Sequence, residues 1–136
     1  MVFEGGCYCG AIRFRFEGEP KASVQCHCRE CQYFTGGHPN IITALPDEGL
    51  AFTQGTPKTF ARSDLDAPRT RLFCGDCGTS IATISPAFPG ITLVKVGTPD
   101  DPSTFSADWA QYTIDAQPYH HRPDGDVPVF ERAKAG

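Results

Sequence analysis

At 136 residues the chain is sized for a single domain, 1–136, and is long enough to bury roughly two thirds of its unfolded surface without covalent staples. A hydrophobic fraction of 40% against 21% charged residues, with ten Phe, excludes wholesale disorder. Sixteen acidic against twelve basic residues, a formal charge of -4 and no cationic run exclude the clustered positive charge that nucleic-acid binding draws on.

The opening Met1-Val2-Phe3-Glu4-Gly5-Gly6 lacks the basic and apolar regions of an export signal, and no stretch approaches 18 apolar residues. A soluble, cytoplasmic protein with no membrane partner is expected. The first clear element is Ala11 to Glu17, where Ile12, Phe14 and Phe16 alternate with Arg13, Arg15 and Glu17. That is the period of a half-buried strand. Further β-rich runs, bounded by Gly, Pro or Asp, are Ile41 to Leu45, Leu50 to Thr53, Lys58 to Arg62, Thr70 to Phe73, Ser80 to Ser85 and Ile91 to Val96. Twelve Pro and fourteen Gly punctuate the connections, so helices are expected to be few and short. Pro99 to Phe105 can start one helical turn with an Asp or Ser cap. Ala116 to Gly125 reads as loop, followed by Val127 to Phe130 and a polar end.

Seven cysteines fall into three groups: Cys7 and Cys9; Cys26, Cys28 and Cys31; Cys74 and Cys77. An odd count leaves one thiol over in any disulfide scheme, and reduced cytosolic thiols in such clusters serve metal. On extended backbone both side chains of a C-x-C point to one face, so Cys7 and Cys9 can share an ion. Cys74-Gly75-Asp76-Cys77-Gly78 suits a zinc knuckle, in which glycines let the backbone approach the sulfurs. Joined, Cys7, Cys9, Cys74 and Cys77 make a closed site of the structural type. Cys26, Cys28 and Cys31 supply three thiolates within six residues and leave the fourth position open, the arrangement of catalytic zinc. Different pairings, a redox dithiol at Cys74 and Cys77, and seven free core cysteines are the competing readings.

His27 lies between two of these thiols and on extended backbone points away from the ion, which makes it a surface residue or a support to the ligands. His38, after Thr35-Gly36-Gly37, competes for the fourth position. His120 and His121 read as solvated loop residues, either of which carries a proton if the loop folds over the site.

Gly5-Gly6-Cys7-Tyr8-Cys9-Gly10-Ala11-Ile12-Arg13-Phe14, then Cys26-His27-Cys28-Arg29-Glu30-Cys31-Gln32, then Phe73-Cys74-Gly75-Asp76-Cys77-Gly78-Thr79 resemble, in order and spacing, the glutathione-dependent formaldehyde-activating enzyme family, which includes centromere protein V. The resemblance runs from Gly5 to about Phe130. It implies a mainly β, Mss4-like fold, a zinc-stabilised antiparallel sheet with few short helices. It also implies two zinc ions per chain, one structural at Cys7, Cys9, Cys74 and Cys77 and one reactive at Cys26, Cys28 and Cys31. The activity it implies is that of a carbon–sulfur lyase, adding glutathione reversibly to formaldehyde to give S-hydroxymethylglutathione.

A three-thiolate zinc is a weak Lewis acid for carbonyls, but it suits the deprotonation of an incoming thiol. His38, His120 or water would then protonate the alkoxide. The carboxylates of glutathione call for cations, and Arg29, Lys58, Arg62, Arg69 and Arg71 are the candidates. The alternative to an enzyme is a non-catalytic zinc-stabilised β module that binds a protein or a small thiol.

Overall fold

The computed structural model describes residues 1–134. Ten strands form two sheets: β1 (Val2–Gly6), β2 (Arg13–Glu17), β3 (Ala22–Cys26), β4 (Asn40–Pro46), β5 (Leu50–Gln54), β6 (Lys58–Phe60), β7 (Thr70–Phe73), β8 (Ser80–Ile84), β9 (Ile91–Lys95) and β10 (Trp109–Gln111). The α-helix described, α1 (Arg29–Thr35), follows β3. The small sheet has the order β1-β2-β5, and the large one β10-β3-β4-β9-β8-β7-β6. The strand pairings are antiparallel, as expected, with one parallel addition at the edge, β10 on β3.

The alternation in β2 does what its period requires: Ile12, just ahead of it, and Phe14 and Phe16 within it are at most 3% exposed. They pack on Leu45, Leu72, Ile81, Ala82 and Val94 of the large sheet. Phe3 stacks on Phe16 at 5.4 Å and meets Phe14 edge-on at 6.5 Å. Burying side chains of this size supplies roughly 1.5–3 kcal/mol each, so the core stands without cross-links.

The other face of the large sheet carries the site, and register arranges its side chains in rows. Gln111, Cys26 and Asn40 stand side by side; the next row is Trp109, Val24, Ile42 and Lys95; the next is Ala22, Ala44, Leu93, Thr83 and Arg71. Strands β1, β3 and β10 do not follow from the sequence pattern. In β3, Val24, Gln25 and Cys26 are all buried, so no polar face betrays a period. β10 has three residues and exists because β3 offers it a free edge 85 positions away. Conversely, Val127 to Phe130 forms only an isolated bridge, Val129 to Ala110. The expected turn near Pro99 is a 3-10 helix at Pro102–Thr104, capped by Asp101. No helix among the described residues is long and apolar enough to cross a membrane.

Candidate functional site

The turn after β1 and the knuckle after β7 bring Cys7, Cys9, Cys74 and Cys77 together, every Sγ within 4.8 Å of the others. Cys7 to Cys9 and Cys9 to Cys74 each measure 3.7 Å between sulfurs. A tetrahedral zinc with 2.3 Å bonds to sulfur requires an edge of about 3.8 Å, so the donor set fits the ion. Backbone N–H groups aim at the sulfurs as they do around a thiolate: Ile12 at Cys7 (3.3 Å), Asp76 and Cys77 at Cys74 (3.4 and 3.5 Å). The Thr79 hydroxyl, 3.1 Å from Cys77 Sγ, helps to pull that thiol down to about 6. Gly78, at φ 78°, turns the knuckle back toward β8.

Cys26, Cys28 and Cys31 form the second cluster, again with all sulfurs within 4.8 Å. Cys26 ends β3; Cys28 is the N-cap of α1, its Sγ accepting the Cys31 N–H at 3.2 Å; Cys31 lies one turn on. Cys28 and Cys31 sulfurs stand 2.7 Å apart and must spread to admit an ion between them. Hydrogen bonds from the Cys28 and Cys31 thiols pull Cys26 down to about 3, and the same contacts push Cys28 and Cys31 up. Gln111 Nε2 also donates to Cys26, at 3.7 Å.

All three thiols line one groove of about 760 Å³ on the outer face of the large sheet. Four cations, Lys21, Arg29, Arg69 and Arg71, and two carboxylates, Glu30 and Asp115, line it as well. Lys58 and Arg62 do not line it: Lys58 packs over Gly75 beside the first cluster, and Arg62 pairs with Asp64. Arg71 is 3% exposed, hydrogen-bonds Thr83 at 3.1 Å, lies over the Phe34 ring and pairs with Glu30. Glu30 also takes Arg69 at 3.2 Å. Through Glu30, the helix that carries Cys28 and Cys31 is thus pinned to β7.

The histidines divide: His38 and His121 are exposed loop residues, whereas His27 and His120 turn inward. His38 is exposed, turns Nδ1 to its neighbour's carbonyl at Pro39 and joins neither thiol cluster. His27 is no surface residue; it is fully buried, 3.0 Å from Gln25. His120 is half-buried, with Nδ1 2.9 Å from His27 and Nε2 2.8 Å from the Gly37 carbonyl. Neither His27 nor His120 lines the groove, and His121 is exposed. Both inner histidines buttress the loop over α1 instead.

Gln32 completes that support. It is 3% exposed, and its amide donates to the carbonyls of His27 (2.9 Å) and Asp115 (3.0 Å). Sequence reasoning missed Tyr112, Gln111, Asn40 and Lys95. Tyr112 lines the groove at φ 55°, the sole positive-φ residue other than glycine among those described. Lys95 is 9% exposed and donates to Asn40 at 2.6 Å; burial holds its ammonium down to about 8. Gln111, Asn40 and Lys95 have no local signature, because each is brought in by strand register.

The model of the glutathione-dependent formaldehyde-activating enzymes matches residues 2–115, which include both clusters. The chain belongs to this family. A Halomonas elongata protein provisionally named a glutathione-dependent formaldehyde-activating enzyme is 30% identical over 94 residues, 65% of this chain. The match spans only 60% of that relative's length. A crystal structure of a Rhodobacter sphaeroides protein superposes with a TM-score of 0.56 over 69% of this chain and 84% of its own, at 20% identity. That likeness speaks for the fold alone. Both thiol clusters, each able to hold a metal ion, lie within the matched residues.

Proposed function

We propose that the chain is a zinc-dependent carbon–sulfur lyase that adds glutathione reversibly to formaldehyde or a related small aldehyde. In this reading two zinc ions bind, a structural one at Cys7, Cys9, Cys74 and Cys77 and a reactive one at Cys26, Cys28 and Cys31. The observation that carries it is an asymmetry: one cluster closes with four thiols, whereas the other offers three thiols that open onto a groove. Zinc bound there would lower the pKa of an incoming thiol.

The chain's own groups bind and orient. Arg29, exposed at the groove, suits a glutathione carboxylate, while Arg69 and Arg71 both pair with Glu30. Gln111 steadies Cys26, and the α1 N-cap fixes Cys28 against Cys31. The glutathione sulfur, its proton lost, bonds to the aldehyde carbon; the carbonyl π pair moves to oxygen, which takes up one proton. Tyr112, whose phenol lines the groove, is suited to deliver that proton, a role that sequence analysis assigns to His38, His120 or water.

The test is the rate of S-hydroxymethylglutathione formation from formaldehyde and glutathione, followed by exchange NMR on zinc-replete protein. An accelerated rate that disappears in Cys28→Ser supports the lyase. A rate equal to the spontaneous one, with both sites loaded, rejects it in favour of a binding module.

A further inference from the structure

The thiol cluster occupies only one end of the groove. From Cys26 to Ala22, about 13 Å along β3, the lining changes character. Val24 and Ile42, each 5% exposed, form the floor; Leu93 and Ala44 continue it; Trp109 stands beside Val24. Phe88, 52% exposed in the turn between β8 and β9, extends the apolar rim. Helix α1 packs on β4, yet Leu93, Ala44 and Trp109 stay half-exposed. Apart from Lys21, exposed at the far end beside Ala22, charge is concentrated around α1, where Arg29 contacts Gln32 and Glu30 holds Arg69 and Arg71.

Formaldehyde has one carbon and brings no apolar surface, and glutathione is charged at both ends. Neither matches an apolar strip of this length, and a contiguous apolar surface beside a reactive centre marks a ligand site. We infer that the substrate carries an apolar chain: the strip from Val24 to Leu93 seats the alkyl group of an aldehyde, or of its thiol adduct, whose reacting carbon lies at Cys26, Cys28 and Cys31. The inference rests on the lyase reading for the head of the substrate and on the strip alone for its tail. Continuity of the strip with the three thiols in one groove favours a small molecule over a protein partner.

Trp109, the only tryptophan of the chain, lines the strip and reports occupancy without turnover. Zinc-replete protein is titrated with S-methyl-, S-butyl- and S-hexylglutathione and, separately, with straight-chain aldehydes of the same lengths. Affinity is expected to rise about two- to fourfold per methylene, as burial of each CH₂ dictates. Equal affinities along both series, with glutathione itself still binding, overturn the inference and leave the lyase reading standing. Length dependence among the aldehydes with no binding of any glutathione derivative supports the strip and removes glutathione as co-substrate. Leu93→Ser is expected to flatten the series; Ile91→Ser, also half-buried, serves if the first variant does not fold. A dimer that shields Trp109 and excludes every probe overturns the proposal, because a second copy then covers the strip.

Discussion

His27 Nδ1 and His120 Nδ1 lie 2.9 Å apart although 93 residues separate them. The contact closes the loop after β10 over α1, and burial, helped by the facing charges of His120, Arg122 and His38, holds the His27 ring down to about 4. In the neutral ring Nε2–H donates to Gln25 Oε1 at 3.0 Å, and Nδ1 faces His120.

A pH dependence results. Between the usual 6.5 and about 4, the unfolded chain takes up a proton at His27 that the folded chain refuses. Stability therefore falls as pH falls through that window, by up to about 3 kcal/mol for a fully buried ring. Unfolding free energies measured from pH 7 to 4 should drop more steeply in the native protein than in His27→Gln. Parallel curves would mean that the ring is already charged when folded.

Elemental analysis of reduced, zinc-replete protein should return two zinc ions per chain. Cys77→Ser should fail to fold, because the closed cluster ties the turn after β1 to a knuckle 65 residues on, and metal binding there contributes to folding. Cys28→Ser should fold and lose the second ion, since its cluster spans six residues and closes only short loops. Circular dichroism with metal analysis separates the two; equal loss of structure would dissolve the division into structural and reactive sites.

Arg71→Met should destabilise the protein by about 2–3 kcal/mol, at or below the bottom of the range for breaking a fully buried ion pair, because Glu30 is partly exposed and keeps Arg69. Adding Glu30→Gln should recover part of that loss. Denaturant titrations of the single and double variants give the coupling, and strict additivity would show that α1 is not held through this pair.

Gly5 and Gly97 should respond oppositely to alanine. A Cβ on Gly5 would lie 2.4 Å from the Thr98 carbonyl oxygen and 2.6 Å from the Phe14 ring, so Gly5→Ala should cost about 3 kcal/mol, the upper end of ordinary overpacking. A Cβ on Gly97 meets nothing within 4 Å, and Gly97→Ala should stay within about 0.5 kcal/mol. Thermal unfolding of the two variants distinguishes close packing at the β1–Thr98 contact from a general intolerance of side chains there.

Local chemistry was legible in the sequence because it is written at short range. The period of two in Arg13 to Glu17, and the spacings that gather Cys26 with Cys28 and Cys31, depend only on neighbours a few positions apart. So does the Asp101 cap on the turn at Pro102. The meeting of Cys7 and Cys9 with Cys74 and Cys77 could also be inferred, since a tetrahedron needs four ligands and each pair is half of one. What remained hidden depends on register between strands distant in the chain. Lys95 reaches Asn40 only because β9 pairs with β4, and Arg71 reaches Glu30 only because α1 lies across the rows of the large sheet. His27 and His120 likewise depend on a loop that returns from β10. A one-residue slip in any of these pairings would turn the same side chains to the opposite face, and no local pattern records which register wins. The tertiary packing of the Phe14 and Phe16 core on one face decides it, and thereby decides what lines the groove on the other.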